Sequence, residues 1–318
     1  MPAAVEGMIY VGQEPWHGLG VKLDNPPTIK EAIKMAGLDW TVRCEPAHTM
    51  IDGKQVPIPG QATIRSSDDS VLGCVGPGYH PIQNHEAFEF FEPFVESKEV
   101  SIETAGSLKE GRRIWVLAKI NRDPVEIVKN DPILAYFLLA NSHDGTLAGR
   151  VGFTATRVVC NNTLQMAIGA GGLLKVKHTK NASEALKAIR ETVDMTHREF
   201  VANAEQMRAM ARFGVTTETL DKYVRRVFKK REETNEEAEQ GHDRVLAQVV
   251  PLFEGGRGSD VVKVSGTMWN AYNAVTEFLS HERGRDQSTR VDQLFFGEGR
   301  RLGLRALTVA NDMMQAAA

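Results

Sequence analysis

The chain has 318 residues, 42% of them hydrophobic and 25% charged, and a formal net charge of −3 at pH 7. This composition is typical of a folded globular chain and excludes an intrinsically disordered one. The small negative charge excludes a protein that coats nucleic acid through bulk positive charge, so a nucleic-acid site would need local clustering of cations. We expect no transmembrane helix and no signal peptide, because no long apolar run occurs and the start, MPAAVEGMIYVG, is not basic.

The cysteines indicate a reducing environment. Cys44, Cys74 and Cys160 are odd in number and widely spaced, which fits free thiols in a cytoplasm and excludes the four-cysteine zinc patterns. Histidine pairs with metal-ligand spacing on a helix are also missing. The glycine-rich run at 169–172 lacks the Lys-Ser/Thr ending of a phosphate-binding loop. The sequence therefore predicts neither a metal nor a cofactor.

The first half of the chain is strand-rich. Thr28 precedes a short helical pattern with Glu31 three residues later, the spacing of a capping box, and Gly37 follows as a stop. Asp52-Gly53 between two extended runs predicts a tight hairpin. A helix capped by Asn84 is expected to run to about Ser97 and to pack its aromatic residues on a sheet. Extended segments are predicted at 40–44, 61–65, 71–75, 100–108, 112–120, 132–140 and 147–154. Connections too short for crossover helices make this an antiparallel meander.

The second half is predicted to be helical, with a helix opening at Asn161 to Thr163. Apolar residues from Leu186 to Ala211 recur at helical spacing and predict one long amphipathic helix. Further helices are expected at 219–230, after Ser265 and at 293–317. The fold class is therefore α+β: an antiparallel β-meander with packed helices in the N-terminal half and a helical C-terminal half. We expect a β-rich domain at 1–180 and a mainly helical region at 181–318.

The stretch from Asn141 to Lys180 carries five Lys/Arg against one acid, a net charge of +4 in an acidic chain. Basic side chains, amides and helix N-termini contact phosphates, and aromatic residues can stack on bases. Tyr79, Trp115, Tyr136 and Phe153 could stack in this way, although aromatic residues on strands are usually core. The nucleic-acid-binding residues predicted here are Arg112, Arg113, Arg150, Arg157, Asn161, Asn162, Lys175, Lys177, His178 and Lys180.

A second chemistry is present in the same stretch. Cys160 lies at the end of an extended run, where the start of a helix could lower the pKa of its thiol. His143 and Asp144 could approach it through hairpin pairing and complete a thiol, imidazole and carboxylate set. A cysteine in an apolar run is also commonly a buried small hydrophobic residue, so both interpretations stay open.

Several motifs together resemble a known family. YVGQEPWHGLG, ANSHDGTLAG, RVVCNNTLQMA, KVKHTKN, SGTMWNAYNAVTEFLSH and FGEGRRLGLRAL are similar to an uncharacterised phage/plasmid-related protein family, a domain of unknown function. The resemblance spans nearly the whole chain. It implies a bacteriophage or mobile-element origin and action in the cytoplasm of the host bacterium, and it assigns no catalytic residue.

The outline of a β-meander, a basic hairpin and a helical tail is also similar to the single-strand annealing recombinases of phages. Those proteins assemble into rings or filaments and hold single-stranded DNA along a basic groove. The resemblance implies a phage-encoded single-stranded DNA-binding and annealing protein of recombination or replication, self-associating through its helical half, away from membranes. The alternatives are a cysteine-dependent enzyme using Cys160 and His143, or a phage protein that binds a host factor.

Overall fold

A computed structural model describes residues 5–12, 20–157, 162–165, 174–191, 193–229, 235–261, 264–284 and 286–317. The chain forms two compact units, each assembled from separate segments. Unit 1 comprises Met1–Arg122, Tyr136–Gly152 and Leu173–Met195. Unit 2 comprises Asp123–Ala135, Phe153–Gly172 and Thr196–Ala318.

The strands alternate with short helices before residue 180, and helices dominate after it. The strands are β1 (Val5–Val11), β2 (Val21–Leu23), β3 (Val42–Ile51), β4 (Lys54–Arg65), β5 (Val71–Val75), β6 (Val100–Leu108), β7 (Arg113–Ile120), β8 (Val125–Val128), β9 (Asp131–Ser142), β10 (Gly149–Arg157), β11 (Asn162–Gln165) and β12 (Leu174–Val176). The helices are α1 (Ile29–Met35), α2 (Asn84–Glu89), α3 (Glu92–Glu96), α4 (Ala182–Glu191), α5 (Val193–Met210), α6 (Thr217–Phe228), α7 (Asn235–Gly255), α8 (Met268–Glu277), α9 (Gln287–Phe295) and α10 (Glu298–Ala316). A π-helical turn, Phe278–Glu282, continues α8. The predicted α+β class is confirmed.

Unit 1 contains two sheets. In the larger one the strand order is β10-β9-β7-β6-β1-β2, with β12 also paired to β10. The β1–β2 pair is parallel, and β1–β6, β6–β7, β7–β9 and β10–β12 are antiparallel. Helices α1, α2 and α3 pack on its strands β6 and β7, and Phe88, Phe91 and Trp115 are fully buried in the core. The smaller sheet has the antiparallel order β3-β4-β5.

Local sequence signals account for two of these features. The Thr28 hydroxyl accepts from Glu31 N at 3.4 Å, and the Glu31 carboxylate accepts from Thr28 N at 2.9 Å, which is the predicted capping box. Asp52 and Gly53 have φ of 49° and 74° and join β3 to β4. Both central residues of that turn therefore adopt the left-handed conformation that matches the twist of a hairpin.

Unit 2 is mainly helical and has its own aromatic core. Tyr223, Trp269 and Tyr272 are fully buried. The Tyr223 hydroxyl donates to the Ala306 carbonyl at 3.1 Å, which links α6 to α10. Trp269 Nε1 donates to the carboxylate of buried Asp131 at 2.7 Å, which links α8 to the start of β9. The short strand β11 pairs with β10 and packs against α8 and α10.

The structure corrects three sequence predictions of local structure and contains one helix that the sequence analysis did not predict. The segment expected to open a helix forms β11 instead, because Asn162 to Gln165 pair with Thr154 to Arg157; Asn161 lies outside the described residues. The helix expected from Asn84 to Ser97 is two helices, since Pro93 has no N–H and favours a new helix start. The C-terminal helix is also divided, into α9 and α10, at Gly297. Helix α7 was not predicted at all.

Candidate functional site

Three buried polar side chains mark the end of β9 in unit 1. Asn141, Ser142 and His143 are fully buried. Asn141 Nδ2 donates to the Ile82 carbonyl at 3.1 Å. The Ser142 hydroxyl donates to the Leu147 carbonyl at 3.0 Å and accepts from Leu147 N at 3.1 Å. Because burying a polar group without a partner is costly, these bonds fix the conformation of the turn.

His143 is held as a neutral imidazole. Asn84 Nδ2 donates to the carbonyls of Leu38 and Trp40 at 3.1 and 3.2 Å, so the Asn84 side-chain oxygen is an acceptor. His143 Nε2, at 2.9 Å from that oxygen, therefore carries the proton and donates. The ring also packs edge-on against Trp40, with centroids 5.3 Å apart. Burial, and then the charge of nearby His178, lower the pKa of His143 to about 3.

His178 closes the same network from the other side. Its Nε2 lies 2.8 Å from Asn141 Oδ1, and its ring stacks on Tyr79 with centroids 4.6 Å apart. The Tyr79 hydroxyl donates to the Ser142 carbonyl at 2.9 Å. Burial lowers the pKa of His178 to about 4 against a hydrogen bond to Ser142 that favours the charged form. The Nε2 atom of His178 is therefore engaged inside the protein.

The loop from Asp144 to Thr146 directly follows the buried end of β9. The Asp144 carboxylate accepts from Thr146 N at 2.9 Å and from the Thr146 hydroxyl at 2.6 Å. Gly145 has φ of 74°, which a residue with a side chain rarely adopts. Gly73 on β5 packs so closely that a Cβ there would lie 2.6 Å from Asp144 Cα. The loop is thus seated against the smaller sheet.

Basic residues gather beside this loop. Arg150 on β10 lies directly opposite Lys175 on β12 in the antiparallel register. Burial, and then the positive charge of Arg113, lower the pKa of Arg150, because both disfavour the protonated guanidinium. Arg113 reaches the Thr146 hydroxyl at 3.4 Å. The Arg150 Nε atom is buried and has no hydrogen-bond partner in the part of the chain that the structure describes.

Lys175 and Lys177 extend the positive charge. Both are exposed, and Val176 between them is buried, so the strand alternation puts the two lysines on one side. Lys180 is exposed a few residues later. We call Arg113, Arg150, Lys175, Lys177 and Lys180 the basic surface of unit 1. Within the described residues, no carboxylate forms an ion pair with Arg150 or with any of these three lysines.

The remaining predicted binding residues are not gathered in the same way. Arg112 is half-buried, its guanidinium lies 3.7 Å from the Glu110 carboxylate, and its carbonyl accepts from His143 N at 2.8 Å. Arg157 and Asn162 are cross-strand partners on β10 and β11. Asn161 lies outside the described residues.

Most of the aromatic residues considered for base stacking belong to the core. Trp115, Tyr136 and Phe153 are buried, and the Tyr136 hydroxyl donates to Glu103 at 2.8 Å. Tyr79 is half-buried and occupied by His178 and Ser142. These four side chains therefore form no exposed platform for bases.

The thiol-based alternative involves residues that the structure describes only in part. Cys160 lies outside the described residues, whereas Cys44 and Cys74 are free. His143 is fully buried and donates from Nε2 to Asn84, while its Nδ1 has no hydrogen-bond partner among the described residues. Asp144 accepts from Thr146. The described residues contain no group of three or more His, Cys, Asp or Glu that could hold a metal ion.

Sequence reasoning missed the partners of the network. The sequence predicts Asn84 as a helix cap, whereas Gln83 occupies that position and the buried Asn84 side chain accepts from His143. The sequence suggests Tyr79 as a residue that stacks on bases, and it gives no sign that the Tyr79 ring stacks on His178. The buried bonds join residues 59 and 37 positions apart, so no local pattern signals them.

The comparison with protein families gives an assignment. A family model described as "Domain of unknown function (DUF932)" matches residues 71–300, well over half of the chain. The chain belongs to this family. No curated protein and no solved structure matches it. The DUF932 region contains Asn84, Asn141, His143 and His178 of the network and the whole basic surface, whereas Leu38, Trp40, β3 and β4 precede it. Among the described helices of the whole chain, none is long and apolar enough to cross a membrane.

Proposed function

We propose that this DUF932 protein binds single-stranded DNA through phosphate contacts of the basic surface. It would act as a phage-encoded annealing protein in recombination or replication, in the cytoplasm of the host bacterium. The family description assigns no activity, and the phage origin rests on the motif resemblance.

The observation that carries the proposal is the placement of Arg150 opposite Lys175. Like charges directly opposite on neighbouring strands destabilise a sheet, and the positive charge of Arg113 adds a further repulsion. No carboxylate offsets the charges of Arg150 and Lys175 in the described part of the chain. An anion with several negative groups, such as a phosphodiester backbone, would relieve this repulsion.

The side chains of the basic surface favour a DNA strand that is contacted through its phosphodiester backbone and not through its bases. The candidate aromatic side chains are buried or already stacked, so base stacking contributes little to binding. Binding should therefore depend weakly on base sequence and strongly on salt. Exposed lysines beside half-buried arginines allow contacts with successive phosphates.

Fluorescence anisotropy with a labelled single-stranded oligonucleotide over a salt series tests the proposal. If about three cations contact phosphates, log affinity should fall with log salt with a slope of roughly −2. The variant Arg150→Gln/Lys175→Gln should bind more weakly at every salt concentration and show a shallower slope. The matched control, Lys30→Gln/Lys34→Gln, removes two exposed charges from α1 and should bind like the wild type.

Two kinds of outcome would contradict the proposal, one for DNA binding and one for annealing. Absence of binding at low salt, or equal binding by both double variants, overturns DNA binding by this surface. If the protein binds but does not accelerate pairing of complementary oligonucleotides, the annealing role is wrong and the binding role stands. Thermal unfolding of each variant shows whether it is folded.

A further inference from the structure

Strands β3 and β4 extend well beyond the third strand of their sheet. β5 pairs only with the Gln61 to Ile64 part of β4. The ladder continues from the His48–Pro57 pair to the Ile51–Lys54 pair. A register shift between Pro46 and His48 separates this outer part from the base. We call residues 47–59 the β-arm. In the described part of the chain, the β-arm is a two-stranded ribbon with no third strand.

The β-arm carries exposed apolar side chains. Met50 is 65% exposed, Ile51 54% and Ile58 39%. These are three of the seven exposed large hydrophobic residues among those described. A two-stranded hairpin is marginally stable alone in water, and clustered exposed apolar side chains mark interaction surfaces. The β-arm therefore has the properties of a segment that packs against a partner.

The two edges of the β-arm differ. Pro57 and Pro59 lie on β4, and proline cannot donate a backbone hydrogen bond, so the β4 edge is poorly suited to strand addition. The β3 edge from Ala47 to Ile51 has no proline and no Asp, Glu, Lys or Arg. The same stretch contains the two most exposed apolar residues of the β-arm, Met50 and Ile51. The β3 edge is therefore the one open to another strand.

We infer that the β-arm joins two copies of this chain, with β3 of one copy pairing antiparallel to β3 of the other. An edge strand is complementary to itself across a two-fold axis, because antiparallel pairing places the same residues on both sides. Without charged side chains from Ala47 to Ile51, the two copies meet no like-charge repulsion there. In a register centred on Thr49, Met50 of one copy lies opposite His48 of the other and Ile51 lies opposite Ala47, so the pairing covers part of both apolar side chains. The sequence placed self-association in the helical half; this inference places it in unit 1, outside the DUF932 match, and does not depend on DNA binding.

Sedimentation velocity of the full chain tests the inference without DNA, over roughly 1 to 100 µM protein. We expect a species of twice 35.1 kDa or larger. Met50→Lys and Ile51→Lys each place a lysine from both copies at the contact and should weaken association about tenfold or more. Met35→Lys is the matched control, because Met35 is a 48% exposed residue on α1, away from the β-arm. It should associate like the wild type.

A monomer at every concentration overturns the inference. Association that survives both β-arm variants, or that Met35→Lys weakens equally, also overturns it. A second measurement covers the case in which a variant folds poorly. Cross-linking of a mixture of isotope-labelled and unlabelled wild-type chains should join β-arm Lys54 of one copy to Lys54 of the other. A mixture that yields only intermolecular links elsewhere contradicts the pairing.

Discussion

Arg150 and Lys175 face each other across the antiparallel pair formed by β10 and β12. Arg150 is half-buried, and this burial, followed by the charge of Arg113, lowers the pKa of its guanidinium. The folded protein thus keeps positive charges together where a neutral or acidic residue would be more stable. Such a cost is typical of a site at which stability has been traded for binding.

Changing Lys175 to Glu should raise the stability of the fold and at the same time lower its affinity for single-stranded DNA. The new carboxylate would face Arg150 and turn a like-charge pair into an opposite-charge pair, which raises the free energy of unfolding by about 0.5 kcal/mol. The same change should repel phosphates and lower affinity for single-stranded DNA. Thermal unfolding and anisotropy measure the two effects.

Lys177→Glu is the control for this charge reversal. Lys177 lies beyond the last paired residue of β12, so its replacement should reduce DNA affinity without raising stability. A Lys175→Glu variant that is less stable than the wild type would contradict the cross-strand repulsion. Unchanged affinity in both variants would remove the lysines from the binding surface.

Removal of Asn84 should destabilise unit 1. In Asn84→Ala the carbonyls of Leu38 and Trp40 lose their donor, and His143 Nε2 loses its acceptor. Buried groups left without partners cost about 1–3 kcal/mol each, so we expect a loss of roughly 3 kcal/mol. Urea unfolding measures it. The neighbouring exposed His85→Ala should change stability by less than about 0.5 kcal/mol. Equal losses in the two variants would argue against the network.

The local signals of the sequence were sufficient for several elements. Thr28 with Glu31 and Asp52 with Gly53 act through neighbours in the chain, so their capping box and hairpin turn were predictable. The strand β11 was not predictable in this way, because its extended conformation comes from pairing with β10 and not from its own residues. Helix α7 begins in an acidic segment whose charges obscured its helical pattern.

The sequence predicted which basic residues belong to the candidate site, but it did not predict how they are placed relative to one another. The charge of the 141–180 stretch identified Arg150 and Lys175, but their direct opposition depends on the register of β12, which no periodicity gives. The sequence suggests His143 as a possible catalytic imidazole. Its partner Asn84 lies 59 residues away, and that distance in the chain conceals a contact that fixes its tautomer.

Two histidines with lowered pKa values, His143 and His178, should make stability depend on pH. The pKa of His143 is about 3 in the folded protein, below its ordinary value of 6.5, because burial disfavours the imidazolium. As pH falls below 6.5, the unfolded chain binds a proton that the folded chain does not, so stability is present above pH 6.5 and is lost as pH falls toward 3. His178, with its pKa lowered to about 4, acts in the same direction.

Urea unfolding between pH 7 and 4.5 checks this dependence. Each such histidine contributes a slope of up to about 1.4 kcal/mol per pH unit within the window. The variant His143→Gln has no proton to gain and should show a shallower slope, whatever its stability at pH 7. His85→Gln, at an exposed position, should keep the wild-type slope. A slope unchanged in His143→Gln would show that His143 does not stay neutral in the folded state.

The seating of the Asp144 loop on β5 depends on Gly73. A Cβ at this position would lie 2.6 Å from Asp144 Cα and 3.0 Å from its carbonyl oxygen, and backbone atoms move less readily than a side-chain end. Gly73→Ala should therefore lower the free energy of unfolding by about 1–3 kcal/mol, as overpacking does. Gly76→Ala is the matched control three residues away, because a Cβ there meets nothing within 4 Å. It should be neutral or slightly stabilising, since alanine restricts the unfolded chain. Thermal unfolding of the two variants decides the matter, and equal stability would mean that the loop moves away from β5 at little cost.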